Sequence, residues 1–223
     1  MSLSTGADRP EEITHAFVLK GFDLVYSMLG GERDDQGNIV ASKHIENRHG
    51  RISPGWYAVL CGKGTNGVTK ERYDKCKSIL PSMFILQWED ANIKHMMGKV
   101  VGIVRIAHSL PFDLCKDDPW SEGPICNIIS HVGWLTSGIP CRGNLGAFPI
   151  SEDALAQVRF QASIASISPT KGPHLHPCRG PDVWCKKRKK GCIDLGDKDE
   201  VALLKRFLLK SQDNLEQKLA SSK

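Results

Sequence analysis

Residues 56–61, WYAVLC, form a wholly apolar run between Gly55 and Gly62, and residues 99–107, KVVGIVRIA, form a second run rich in β-branched side chains. Short apolar runs between glycines are typical of buried strands, and β-branched side chains favour extended backbone. HAFVL at residues 15–19 predicts a further strand. We therefore expect the runs at 56–61 and 99–107 to pair in one sheet.

Helical periodicity occurs at three places between these strands. One apolar face is predicted to end at Gly30 and comprises Phe22, Val25, Tyr26 and Leu29. A polar stretch that opens at Thr69 predicts a second helix, and Ser151 is placed to cap a third. The chain is therefore predicted to contain both strands and helices.

The composition of the 223-residue chain is that of an ordinary globular protein, with 40% hydrophobic and 25% charged residues. These values exclude collagen-like and wholly disordered chains. No apolar run reaches the roughly 18 residues of a membrane-spanning helix, and MSLSTGADRPEE at residues 1–12 lacks the apolar core of a secretory signal. We therefore expect no membrane partner, free thiols, and a cytoplasmic or nuclear location.

The net charge of +5 is concentrated in one segment. Residues 171–192 contain seven Lys or Arg and one Asp, a charge of +6, which leaves −1 for the rest of the chain. The densest part is a basic patch made of Lys186, Lys187, Arg188, Lys189 and Lys190. Such a patch predicts contact with nucleic acid or with a nuclear import receptor, although a solvated linker would have the same composition.

Four stretches of sequence, in a fixed order, resemble the ASCH domain of the PUA-like superfamily. They are FVLKG (17–21), KHIENR (43–48), PGWYAVLCGKG (54–64) with GKVVGIVRI (98–106), and HVGWL (131–135) with IPCRGNLGAF (139–148). The resemblance implies an α+β fold, a small mixed β-barrel with flanking helices and a cleft beside the KxIExR strand. It also implies binding of RNA or a nucleotide, in RNA processing or transcription coactivation. An insert at 32–42 and the tail from residue 169 depart from compact members of the family.

The sequence predicts that the chain has four parts. Residues 1–12 are expected to be a disordered leader and residues 13–165 the ASCH-like domain. Residues 166–198 form a basic linker that contains Cys and His, and residues 199–223 predict a C-terminal amphipathic helix. That helix suggests an alternative function as an adaptor that binds a protein partner.

The candidate binding residues follow from the chemistry of nucleotides. Lys43 and Arg48 could hold a phosphate or a base carbonyl, and Glu46 could accept a hydrogen bond from an exocyclic amine. These side chains converge only if the strand begins after Lys43 or carries a bulge, because side chains alternate along a strand. The further candidates are Lys63 between two glycines, Trp134 for base stacking, and Arg142 as a basic wall of the cleft.

Some ASCH-like proteins resemble hydrolases that act on N4-acylated cytidine or on RNA, so Lys43 and Glu46 are also candidate catalytic residues. In the amidohydrolases the motif lysine activates a threonine three residues on, and that position here is Glu46. A carboxylate cannot replace the hydroxyl nucleophile directly. The sequence therefore favours binding over catalysis, and Glu46 is expected to keep Lys43 protonated.

The tail also contains possible zinc ligands, while the cleft itself requires no cofactor. The candidate donors are His174, His176, Cys178, Cys185 and Cys192. Zinc in structural sites takes four such nitrogen and sulfur donors. Their spacing lacks the usual CxxC pair, so free thiols in a flexible linker remain the alternative.

Overall fold

The structure is a computed structural model that describes residues 10–63, 68–81 and 95–172. It is an α+β fold built on one large mixed sheet. The strands are β1 His15–Leu19, β2 Glu32–Arg33, β3 Ile39–Ala41, β4 Ile45–Arg48, β5 Gly55–Cys61, β6 Lys99–Pro111, β7 Ile125–Pro140, β8 Ala147–Pro149 and β9 Ile167–Pro169. The helices are α1 Phe22–Val25, which continues as a π-helical turn over Tyr26–Gly30, α2 Lys70–Ile79 and α3 Glu152–Ile164.

Seven strands form the large sheet, and β2 and β3 form a separate hairpin. The order in the sheet is β4-β7-β6-β5-β1-β8, with β9 added to β7. Strand β1 runs parallel to β5, whereas the other pairs are antiparallel. The predicted pairing of the runs at 56–61 and 99–107 is confirmed, since Trp56 lies opposite Arg105 and Ala58 opposite Ile103.

Both faces of the sheet are covered, which explains why its central strands are apolar on both sides. On one face Phe17 and Val59 pack against Val25 and Leu29 of the first helical segment. On the other face Ala58 and Ile103 pack against α3 through Ala154, Val158 and Ala162. A third cluster joins α2 to β4 and β7 and includes Ile45, Cys76, Leu80 and Cys126.

The sheet is strongly curved, but its hydrogen-bonded path does not close among the described strands. The path ends at β4 and β8, which do not pair with each other in this part of the chain. The curvature nevertheless brings β4 close to β1, because Arg48 Nη2 donates to the carbonyl of Val18 at 2.9 Å. The predicted α+β class with a mixed sheet is thus confirmed, while the described ladder is an open sheet.

Several elements differ from the predicted boundaries. Strands β6 and β7 extend to 13 and 16 residues, and their pairing continues past register shifts that lie between Val100 and His108. The insert at 32–42 contains the β2–β3 hairpin, and residues 10–12 of the predicted leader form a short 3-10 helix. Strand β9 lies in the predicted linker, where Thr170 Oγ1 donates to the carbonyl of Ile129 at 2.6 Å.

The basic patch at 186–190 and the predicted C-terminal helix at 199–223 lie outside the described residues. Within the described ranges, no helix combines the length and the apolar character needed to cross a bilayer.

Candidate functional site

A cleft of about 1080 Å³ opens where β1 and β5 end, β6 begins and the chain leaves β7. Because β1 and β5 are parallel neighbours, the segments that follow them emerge side by side. The walls come from residues 18–20, 46–48, 60–63 and 140–146. The volume is at the upper end of the range for small-molecule sites.

Lys43, Glu46 and Arg48 form a charged cluster at the wall of this cleft. Glu46 Oε2 lies 3.7 Å from Lys43 Nζ, and Glu46 Oε1 lies 2.8 Å from Arg48 Nε. The convergence is possible because β4 begins at Ile45, so that Lys43 precedes the strand and escapes its alternation. The side chains of Lys43 and Glu46 are only 5% and 7% exposed, and that of Arg48 is 26% exposed.

Lys43 lies behind Glu46 and does not itself line the cleft. Its ammonium donates to the carbonyl of Ile45 and lies 5.9 Å from the ring centre of Trp120. Burial lowers the pKa of Lys43, and this effect outweighs the opposing attraction of Glu46 and Glu122. Glu46 favours the charged form of Lys43, as expected, while desolvation of the buried ammonium acts in the opposite direction. That Lys43 stays protonated remains a prediction.

Arg48 links β4 to β1 across the cleft. Besides its hydrogen bond to Val18, its guanidinium carbon lies 5.5 Å from the centre of the Phe17 ring. Its Nε is close to Glu46 Oε1 without the angle of a hydrogen bond. The guanidinium thus fixes the distance between β4 and β1 and holds the Glu46 carboxylate in place.

Two asparagines that the sequence analysis did not identify support β4. Asn127, which is fully buried, donates from Nδ2 to the carbonyl of Glu46 at 3.0 Å and accepts at Oδ1 from Ser109 Oγ and the amide of Ile52. Asn47 donates to the carbonyl of Trp120 at 2.7 Å. Asn47 belongs to the KHIENR stretch, and this was the feature of the sequence that could have identified it.

The rim of the cleft carries exposed cations. Lys20, Lys63 and Arg142 are exposed, and all three line the opening. Arg72 of α2 also lines it, with Nε and Nη2 each 2.7 Å from a carboxylate oxygen of the buried Asp23. Lys20 and Arg72 were not predicted as site residues, although Lys20 belongs to the FVLKG stretch. The described lining contains five cationic side chains and a single carboxylate, that of Glu46, so the cleft favours anionic ligands.

The position of Lys63 depends on a glycine opposite it. Gly98 has φ +71°, and a Cβ built there would lie 2.5 Å from Lys63 Cε. The absence of a side chain at Gly98 therefore leaves room for the aliphatic chain of Lys63 along the cleft wall.

The thiols of the cleft are poorly suited to nucleophilic attack. Burial raises the pKa of Cys61 to about 11, with a smaller contribution from Asp23, and burial also raises the pKa of Cys141. Both thiols are therefore held in the protonated, less reactive form near neutral pH. The predicted catalytic pair, Lys43 and Glu46, thus has no activated thiol beside it in the described lining.

The other predicted residues have separate locations. Glu46, Arg48, Lys63 and Arg142 line the cleft together, but Trp134 does not. Its ring packs against Tyr26, with centroids 5.6 Å apart, on the face covered by the first helical segment. The expected stacking role of Trp134 in the cleft is therefore corrected.

Metal binding stays a prediction that concerns the tail. The five candidate zinc ligands between His174 and Cys192 lie outside the described residues. Over the ranges that are described, no group of three or more His, Cys, Asp or Glu side chains is arranged to hold an ion.

Comparison with known proteins gives no further assignment. No family model matches the chain, and a search of curated proteins finds no match to its sequence.

Proposed function

We propose that this protein binds RNA or a nucleotide in the cleft beside β4, as the resemblance to ASCH and PUA-like domains implies. One observation carries the proposal: a single, almost buried carboxylate lies at the wall of a cleft whose rim is cationic. Glu46 can accept a hydrogen bond from an exocyclic amine of a base, and Lys20, Lys63 and Arg142 can bind phosphate.

The convergence of separate sequence stretches supports the same proposal. FVLKG, KHIENR, the end of PGWYAVLCGKG and the start of IPCRGNLGAF each contribute to the cleft wall, although they are far apart in the chain. A family motif distributed in this way is expected when its parts form one binding site. The link from Arg48 to Val18 supports a barrel-like curvature, and a small PUA-like barrel remains part of the proposal.

The alternative is a hydrolase that acts on N4-acylcytidine or on RNA. The lowered pKa of Lys43 favours a role as a base, and this is the observation in its favour. Two others disfavour it: Lys43 lies behind Glu46, and the cleft thiols are held protonated. We expect binding with little or no release of acetate from N4-acetylcytidine. Acetate release that disappears in both Lys43→Ala and Glu46→Ala would instead establish the enzyme.

The phosphate part of the proposal is tested by comparing a nucleoside with its 5′-monophosphate. In calorimetric titrations the monophosphate should bind more tightly to the full chain. Lys63→Gln and Arg142→Gln should reduce that advantage, because each removes one rim cation. Lys70→Gln is the matched control, since Lys70 is an exposed lysine that pairs with Asp74 away from the cleft. Equal affinity for the two ligands would contradict a phosphate-binding rim.

We also propose that the protein acts in the cytoplasm or nucleus, in RNA processing or transcription coactivation. The adaptor function concerns the C-terminal helix at 199–223 and stays a prediction.

A further inference from the structure

The sheet carries a second set of aligned residues on the face covered by α3, away from the cleft. Four residues occupy one row across neighbouring strands, and we call them the cross-strand row: Trp56, Arg105, His131 and Pro169. Directly paired residues on neighbouring strands point to the same side of a sheet. The row therefore presents two aromatic rings, a guanidinium and a proline ring on one surface.

The location of the row explains why it is partly open. The adjacent row on the same face, formed by Ala58, Ile103, Gly133 and Ile167, belongs to the apolar layer under α3. The cross-strand row lies at the edge of this layer, and Trp56 packs against it. Trp56, Arg105 and His131 are each half-buried, and Pro169 is exposed.

The geometry of the row suits flat ligands. The rings of Trp56 and His131 lie 6.2 Å apart at 44°, on the strands either side of Arg105. A row across four strands spans about 14 Å, given a strand spacing of about 4.8 Å. Indole, imidazole and guanidinium planes are the groups on which unpaired bases stack.

The composition of the row also suits a polyanion. The row itself contains a guanidinium and no carboxylate, and a guanidinium can both stack on a base and bind phosphate.

We propose that the cross-strand row is a second binding site, which stacks the bases of a single-stranded nucleic acid independently of the cleft. Trp56 and His131 provide ring faces, and Arg105 stacks while it contacts phosphate. None of the cleft-lining residues belongs to the row, so either site can fail without the other.

The test is fluorescence anisotropy of the full chain with oligouridylate and oligothymidylate of about 12 nucleotides, a length within the range of single-strand sites. We expect Trp56→Leu and Arg105→Gln to weaken binding by about 5-fold or more, the lower limit for loss of one stacked base. Equal affinity for the two oligonucleotides would assign the site to single strands in general, and preference for oligouridylate would assign it to RNA.

Arg105→Lys separates stacking from charge, because lysine keeps the charge and loses the planar group. We expect it to weaken binding while leaving the salt dependence unchanged. Since Trp56→Leu could unfold the domain, Arg105→Lys decides the question if the melting temperature of Trp56→Leu falls. Mononucleotide binding in the cleft should be unaffected by Arg105→Lys, which distinguishes failure of this proposal from failure of the proposed function. Wild-type affinity in Arg105→Lys and Arg105→Gln, or no binding of either oligonucleotide, would overturn it.

Discussion

Arg48 Nη2 donates a 2.9 Å hydrogen bond to the carbonyl of Val18, and so joins β4 at one end of the sheet path to β1 near the other. The same guanidinium flanks the Glu46 carboxylate at 2.8 Å. One side chain therefore contacts both the distant strand β1 and the candidate acceptor Glu46.

Replacement of Arg48 should be destabilising. Arg48→Met removes the hydrogen bond to Val18 and leaves Glu46 with Lys43 as its remaining close cation. We expect the free energy of unfolding to fall by about 2 kcal/mol, a typical value for hydrogen bonds of charged groups. Urea denaturation measures this. Arg142→Met is the control, because Arg142 is an exposed rim residue and should change stability by less than about 0.5 kcal/mol. Equal stability of the two variants would show that the hydrogen bond from Arg48 to Val18 does not stabilise the fold.

The buried Lys43 predicts a particular dependence of stability on pH. Burial lowers its pKa in the folded state below the ordinary 10.5, so the unfolded chain binds more protons between the two values. Stability should therefore rise with pH over the interval that ends near 10.5. The difference in unfolding free energy between wild type and Lys43→Met isolates this contribution, because other groups titrate in both proteins. The stability of wild type relative to Lys43→Met should increase as pH rises. A relative decrease would contradict the burial of the Lys43 ammonium.

Gly98 and Gly37 form a matched pair that tests the position of Lys63. Both have positive φ, +71° at Gly98 and +81° at Gly37, but a Cβ at Gly98 meets Lys63 whereas a Cβ at Gly37, in the β2–β3 hairpin outside the cleft, meets nothing within 4 Å. Alanine at either position should cost about 1–2 kcal/mol for the left-handed backbone. Only Gly98→Ala should also weaken binding of a nucleoside monophosphate, because it displaces the Lys63 side chain. Calorimetry on both variants checks this, and an equal loss of affinity would exclude a specific role for Lys63.

Comparison of sequence and structure shows what local patterns can predict. The apolar runs of β1 and β5 and the start of β6 were predicted because burial on both faces leaves a continuous apolar signature. The full lengths of β6 and β7 were not, since register shifts around Arg105 and Ile106 allow pairing to continue through polar residues.

The candidate site was predictable in part. The convergence of Lys43 and Glu46 depends on where β4 begins. Just before this strand, the amide of Lys43 donates a hydrogen bond to the carbonyl of Ser27. Such a contact from a distant segment has no local signal. Trp134 and His131 are three residues apart on one strand, so they point to opposite faces, and the apolar run around them did not reveal which face bears the cleft.

The basic patch should govern salt dependence if it contacts nucleic acid. Replacing the five basic residues at 186–190 with glutamine should weaken RNA binding and flatten its dependence on salt. Each lost phosphate contact should reduce the slope of log affinity against log salt by about 0.7 for single strands. Anisotropy titrations at several salt concentrations measure the slope. An unchanged slope would assign the patch to nuclear import or to a solvated linker.

The most direct test of the account compares cytidine and uridine 5′-monophosphates against wild type and Glu46→Gln by calorimetry. Cytosine presents an exocyclic amine where uracil presents a carbonyl, and a carboxylate accepts only from the amine. We expect wild type to prefer the cytidine nucleotide by about 5-fold or more, given a discrimination of about 1–3 kcal/mol for a good base contact. Glu46→Gln should abolish the preference, because an amide can also donate to the carbonyl. Equal binding of both nucleotides by wild type, or an unchanged preference in Glu46→Gln, would contradict the assignment of Glu46 as the residue that recognises the base.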